Sequence, residues 1–341
     1  MLRYTVRRLL QLVFVVVALS LLLFAWLRSL PGGPVSALLG ERATTESRAR
    51  LTAELGLDQP IFVQYLKFLG RAGSGDFGVS TGVQPGDSAM AIFLQRFPAT
   101  LELSVLAIVI AIAVGIPLGY LAARRRGGWL DNLSVVGSLI GVAVPVFFLA
   151  FVLKQVFAVE LGWFPTTGRQ EGGLDATRVT GFFVLDGLIT QEFDAAWNAV
   201  KHLILPAIAL SSIPFSVIVR ITRASVLDVL DEDFVRTAES KGLTTPVITR
   251  RHVLRNAMLP VVTTIGLQTG ALLAGAVLTE KVFAFPGIGQ ALAIGFERRD
   301  YPVLLLLILC AAGVFVLVNL AVDLSYAVID PRIRTGSGGG R

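Results

Sequence analysis

The side chains able to make or break bonds are few and poorly placed for it. His202 and His252 stand about fifty residues apart and fall in segments predicted on opposite membrane faces. They therefore offer neither a shared metal site nor a catalytic triad. Asp76-Phe77-Gly78 matches a kinase metal-binding triplet, but no His-Arg-Asp loop or glycine-rich loop accompanies it. The phosphate-cradling pattern G-x-x-x-x-G-K-[ST] does not occur, so the chain is not expected to hydrolyse ATP itself. Cys310, the single cysteine, sits in an apolar run and excludes an intramolecular disulfide.

What remains is non-covalent recognition, concentrated between Arg220 and Pro260. Val226–Ser240 can form a helix, with Val226, Val229, Leu230, Phe234 and Ala238 mainly three and four residues apart. Lys241-Gly242 ends it with a cation in the last turn and a glycine able to adopt the left-handed cap. A second helix is predicted from Thr244-Thr245-Pro246, a hydroxyl cap followed by a first-turn proline. It carries Arg250, Arg251, His252 and Arg255 before Leu259-Pro260 re-enters the membrane. The basic helix offers charged contacts to a partner; the competing reading is an amphipathic helix lying on anionic lipid.

The elements that position this loop follow from composition. The chain has 54% hydrophobic and 16% charged residues, with a mean hydropathy of +0.72. That balance assigns much of its surface to lipid and predicts an all-α integral membrane protein. Six charge-free stretches approach the roughly 20 residues needed to cross a bilayer: Leu9–Leu27, Leu103–Ala123, Leu133–Leu153, Leu203–Val219, Leu259–Leu278 and Val303–Val322. The fourth is the shortest and contains Pro206 and Pro214. The first follows Arg3, Arg7 and Arg8 but is too long for a signal-peptide core, and is read as a retained helix. Arg124-Arg125-Arg126 marks a short connection as cytoplasmic. With both termini inside, the inner segments carry a basic excess of eight and the outer ones an acidic excess of two, which together give the net charge of +6. Basic residues at span ends also account for the charge without nucleic acid.

This reading divides the chain into an N-terminal span (1–30), an extracytoplasmic segment (31–98) and a five-span core (99–335), with 336–341 as a flexible linker or tag remnant. Thr44–Leu57 and Ile61–Leu69 are expected to form short helices outside the membrane, and an outer loop is expected over 154–202. Gly115/Gly119, Gly137/Gly141 and Gly266/Gly270 are expected to let helices within the chain pack closely. Arg28, Glu102, Lys154 and Asp323 lie near span ends, where they either pair at the interface or, for Glu102 and Lys154, face a translocation pathway. Ser211, Ser212, Thr263, Thr264, Gln268 and Asn319 either line that pathway or bond between helices; Gln268, Glu102, Ser211 and Ser212 are its candidates.

Asp233–Leu243 followed by Arg251–Pro260 resembles the signature loop of ABC-importer permeases: Glu-Ala-Ala, three residues, Gly, then a spacer ending in Leu-Pro. Arg236-Thr237-Ala238 replaces the name-giving triplet, and Gly242 keeps its spacing. Gly56–Pro60, Gln64-Tyr65, Gly75–Gly78, Phe97–Leu103, Phe285–Gly289, Arg299–Pro302 and Asp330–Arg334 resemble the dipeptide/oligopeptide branch, so the likeness runs over nearly the whole chain.

The resemblance implies a type I ABC importer permease fold in a bacterial inner membrane, with a cytoplasmic coupling helix-turn-helix. It implies ATPase coupling by Phe234, Arg236, Thr237, Ala238, Glu239, Lys241, Gly242, Arg251, Arg255, Leu259 and Pro260. It also implies partners: two ATPase domains that bind ATP and Mg, a second homologous permease chain and an extracytoplasmic solute-binding protein. No cofactor is expected in this chain. Peptides are the expected solute, with nickel, glutathione or haem as alternatives. A membrane enzyme would need a convergent catalytic constellation, which the sequence does not supply; a passive channel would need no motor.

Overall fold

The computed structural model describes residues 2–29, 44–54, 58–174 and 176–329. Expectations for Gly56-Leu57, the 330–334 tail and the 336–341 linker lie outside these residues, as do the side chains of Arg28 and Asp323. Regular structure among the described residues is helical, with one isolated bridge between Val79 and Ser88.

Helix α1 spans Leu2–Ser29, α2 Thr45–Glu54, α3 Ile61–Gly73 and α4 Ala89–Arg124. Next come α5 (Trp129–Ala143) and α6 (Val146–Leu153), the latter continuing as a π-helical turn over Lys154–Glu160. A short α7 (Phe183–Ile189) precedes α8 (Phe193–Leu230) and α9 (Asp233–Ser240). Then α10 (Thr245–Val247) passes through a second π-helical turn, Ile248–Leu254, into α11 (Arg255–Val282). Finally come α12 (Ile288–Arg298) and α13 (Tyr301–Ile329). Each expected apolar stretch lies in this helical set, and α4, α8 and Tyr301–Ala321 are each long and apolar enough to cross a membrane alone.

Three boundaries differ from expectation. The stretch Leu133–Leu153 is not one straight span: α5 and the Val146–Glu160 helix meet at 102°. Val144 is extended (ψ 122°) and Pro145 starts the next helix, because proline drives its predecessor out of the helical region. The fourth span, expected to be the shortest, is the longest, running 38 residues straight through Pro206 and Pro214. Regular helix also covers much of the 154–202 segment, leaving 161–174 and 176–182 irregular.

The chain divides into two compact units, residues 1–100 with 286–317 and residues 101–285 with 318–341. In the first, Ala89 and Ile92 of α4 pack with Ile288 and Ala291 of α12 and with Val303, Leu306 and Leu307 of α13. The corner before α13 is held by Asp300, which is fully buried. Its Oδ2 accepts from Ser80 Oγ (2.5 Å) and from the backbone N–H groups of Gly82 (3.0 Å) and Val83 (2.9 Å). Arg298 returns a bond to the Gly82 carbonyl at 2.8 Å.

In the second unit α8 is the axis, packed by α5, α6, α7 and α11. The glycine pairs explain the close approach of α4 and α5 to it. A Cβ on Gly119 would stand 2.7 Å from the Val219 carbonyl oxygen and 2.8 Å from Thr222 Cβ. One on Gly141 would meet Ser216 Oγ at 2.2 Å, whereas Gly137 has nothing within 4 Å. Packing within the chain is thus observed for Gly115, Gly119 and Gly141, and not for Gly137. Gly119→Val is expected to destabilise the purified protein by about 1–3 kcal/mol through overpacking. Gly137→Ala should leave the thermal midpoint in detergent unchanged, and equal midpoints for both variants would contradict this packing.

Candidate functional site

The segment after α8 forms a compact hairpin. Helix α8 stops at Leu230, and Glu232 is extended (φ −76°, ψ 144°) before α9 begins. The predicted Val226–Ser240 helix is therefore two helices, with Val226, Val229 and Leu230 in the first. The break resets the phase: Val235 and Ala238 face inward, while Phe234 is 40% exposed.

Helix α9 ends as the sequence suggests. Gly242 has φ +75°, its N–H donates to the Glu239 carbonyl (2.9 Å), and the Leu243 N–H donates to the Ala238 carbonyl (3.3 Å). This paired arrangement closes the carbonyls of the last turn. Thr244 then starts α10 with Pro246 in its first turn, but without a side-chain capping bond.

The predicted second helix does not stop near Asn256. It continues through Leu259 and Pro260 to Val282, so both residues lie inside α11. The π turn has a visible cause. Buried residues on this strip are Ile248, Val253, Ala257 and Val261, spaced five, four and four apart. A five-residue step returns to the same face only if the helix widens by one residue there.

Val235, Ala238, Ile248, Val253 and Ala257 make one small core with Val226 of α8 and Ala123 of α4. The Tyr120 hydroxyl bonds the Thr249 hydroxyl at 3.1 Å, and Asp131 holds Arg223 of α8 by a two-pronged ion pair. The hairpin is thus fixed to α4 and α8, and α8 in turn to α5. Its outer surface presents Phe234, Leu243 and Val247 beside exposed Arg236, Lys241, Arg250, Arg251 and Arg255. Pro246, Val247, Arg250 and Arg251 line a depression there. Thr237 is exposed, with its hydroxyl donating to the Asp233 carbonyl (2.9 Å), and Glu239 is exposed as well.

The remaining candidates do not gather in one site. Glu102 is committed to two bonds: Oε2 accepts from Arg169 Nη2 (2.6 Å) and Oε1 from the Val184 N–H (2.9 Å). Arg169, 5% exposed, also donates to the Gly181 carbonyl (2.8 Å) and stacks 3.9 Å from the Phe183 ring centroid. Burial lowers the Arg169 pKa, and the Glu102 carboxylate opposes that shift. Lys154 donates to the Val282 carbonyl at 2.8 Å. Ser211 is buried and donates to the Ile208 carbonyl (2.9 Å), while Ser212 and Gln268 are half-buried.

Arg169, sixty-seven residues from Glu102, and Asp186 carry no mark in spacing or motif. Asp186 is fully buried and accepts from Thr180 Oγ1 (2.6 Å), the Thr180 N–H (2.7 Å) and the Gly181 N–H (2.9 Å). Burial raises its pKa, but the Thr180 and Gly181 bonds outweigh this and leave it below the ordinary carboxylate value.

Two predictions follow from these carboxylates. Removing one partner of a buried pair strands the other charge, so Glu102→Ala should cost about 3–5 kcal/mol, read as a lowered unfolding midpoint. A midpoint matching the parent would return Glu102 to the pathway reading. Asp186→Asn should destabilise at neutral pH by about 1.5–3 kcal/mol, the range for hydrogen bonds to a charged group. Because the folded pKa is depressed, that contribution is complete above about pH 4 and disappears as pH falls through the lower folded value. The parent and variant unfolding midpoints should therefore converge in acid.

Similarity to known proteins extends over nearly the whole chain. Residues 115–335 match the family described as binding-protein-dependent transport system inner membrane component, and residues 1–104 match its N-terminal companion. The chain is 42% identical over 334 residues to the dipeptide transport system permease protein DppB of Alkalihalophilus pseudofirmus, covering 98% of this chain and all of that one. It is 45% identical over 338 residues to DppB of Escherichia coli K12, covering 98% and 99%. Among solved structures, the inward-facing MetNI methionine ABC transporter aligns with a TM-score of 0.52 at 16% identity, over 71% of this chain and 97% of that one. The similarity to MetNI is one of fold.

Proposed function

The chain belongs to the family of binding-protein-dependent transport system inner membrane components, and on that premise we propose that it is the permease subunit of an ATP-driven peptide importer. Full-length similarity to dipeptide permeases supports the peptide assignment. The observation that carries the coupling assignment is the hairpin: a packed core beneath, exposed apolar and basic side chains above, and a helix leading from it without interruption into α11.

In this reading both termini and the hairpin are cytoplasmic, and a nucleotide-binding subunit seats on Phe234, Leu243, Val247 and the surrounding Arg and Lys side chains. ATP and Mg belong to two ATPase domains, which perform the hydrolysis; this chain transmits force and conducts. Closure of the ATPases displaces the hairpin as a rigid body, because its core and the Tyr120–Thr249 bond leave it little freedom to deform. The displacement reaches α8 and α11 directly, since both are covalently continuous with the hairpin or end at it. A second, homologous permease chain completes the pathway, and an extracytoplasmic binding protein delivers the peptide.

The test separates docking from folding. At Gly242 nothing lies within 4 Å of an added Cβ, so Gly242→Val strains only the left-handed backbone, by about 1–2 kcal/mol. Insertion should persist while ATPase co-purification and peptide uptake fall. Lys241→Glu and Arg251→Glu, both at exposed positions, should weaken ATPase binding most at low ionic strength. Normal assembly and uptake in all three variants would remove the hairpin from the coupling role.

A further inference from the structure

Helix α3 was expected to lie outside the membrane, yet its packing partners belong to the apolar stretches of α1 and α13. Tyr65 and Phe68 pack on Phe24 of α1, with ring centroids 5.2 and 5.8 Å apart. The same cluster includes Val16, Leu19 and Leu23 of α1 and Leu305 and Leu309 of α13. The Tyr65 hydroxyl bonds Ser20 Oγ at 2.8 Å, and Ser20 Oγ in turn donates to the Val17 carbonyl at 2.8 Å. The polar end of Tyr65 is thus satisfied by a helix rather than by water, as hydrocarbon surroundings require.

Depth can be counted from the two partner helices independently. Ser20 and Val17 lie seven and ten residues inside the C-terminal limit of the α1 apolar stretch, Leu27. At 1.5 Å per residue that is about 10 to 15 Å. Leu305 and Leu309 lie two and six residues inside the start of the α13 stretch, Val303, or about 3 to 9 Å. Both counts put α3 within one leaflet, whose hydrocarbon is about 15 Å thick.

The helix also has three stripes where a surface helix needs two. Tyr65, Phe68 and Ala72 form the protein-facing stripe. Gln64, Lys67 and Arg71 form a polar stripe, with Lys67 and Arg71 exposed. On the flank of the packed face, Phe62 and Leu66, at i and i+4, are 64% and 62% exposed, and Leu69 in line with them returns to the packed cluster. An apolar stripe left bare at that depth is matched on α1 by Leu22, which is 66% exposed.

We infer that α3 lies in the membrane leaflet nearest the C-terminal end of α1, with Phe62 and Leu66 against lipid acyl chains and Lys67 and Arg71 at the headgroups. The segment between α1 and α4 therefore carries a lipid-embedded helix, which the charge-free-run criterion does not detect because α3, 13 residues long, is too short to cross the bilayer. This inference rests on the membrane-spanning character of α1 and α13 and not on the transported solute or the coupling role.

Spin-label accessibility tests it on the full chain in its assembled transporter. Phe62→Cys, Leu66→Cys, Lys67→Cys, Arg71→Cys and a reference Leu22→Cys are made in a Cys310→Ala background and reconstituted in phosphatidylethanolamine–phosphatidylglycerol bilayers. Labels at 62 and 66 should collide with oxygen in strong preference to a nickel chelate. Their oxygen-to-chelate ratio should be comparable to that at Leu22 and several-fold above that at Lys67 and Arg71. Chelate-dominated collisions at 62 and 66 would put the stripe in water, and protection from both reagents would put it under a protein partner; either result overturns the inference. Retained peptide uptake by each labelled protein shows that the fold is intact.

Discussion

A backbone that crosses hydrocarbon has no water to complete its hydrogen bonds, and the rest of this structure is arranged around that constraint. Helix α8 shows it best. Its two prolines each remove a backbone donor, yet the helix runs through both without a break because five other elements pack closely around it. Closeness comes from residues with no side chain. Gly119 and Gly141 bring neighbouring helices to distances that a single methyl group would forbid. At Val144-Pro145, by contrast, a proline turns the path through 102°. The same residue type is thus absorbed in one place and decisive in another, according to its neighbours.

Charges follow the same rule of local satisfaction. Glu102, Arg169, Asp186, Asp300 and Asp131 are each buried or nearly so, and each is held by named partners. Four of these connections join residues far apart in the chain, from Glu102–Arg169 to Ser80–Asp300. Polar side chains inside helices, such as Ser211 and Ser216, instead return their hydroxyls to the preceding turn, which keeps them from competing for distant partners.

Much of this was legible in the sequence, for definite physical reasons. Apolar runs report the solvent around a helix, so all six stretches landed in helices. Gly242 was legible because a cation followed by glycine after an apolar period has few other uses. The break at Asp231-Glu232 was not, because the apolar spacing of Val226 to Ala238 continues across it and periodicity alone carries no phase error to notice. The continuity of helix from Arg255 through Pro260 to Val282 was not legible either, because proline usually ends a helix. Arg169 and Asp186 were silent, since a long-range ion pair leaves no mark in spacing, and a threonine-glycine turn around a carboxylate is too common a pattern to single out.

The π turn at Ile248–Leu254 has a further meaning. On its N-terminal side the helix must show Val247, Arg250 and Arg251 outward; on its C-terminal side α11 must bury Ala257 and Val261 against its neighbours. One surplus residue reconciles the two. Loss of any single residue there would restore an ordinary α-helix and swing the whole hairpin by about 100° relative to the span. The orientation of the docking surface is therefore stored as a residue count, so that length, more than side-chain identity, is the property this stretch must keep.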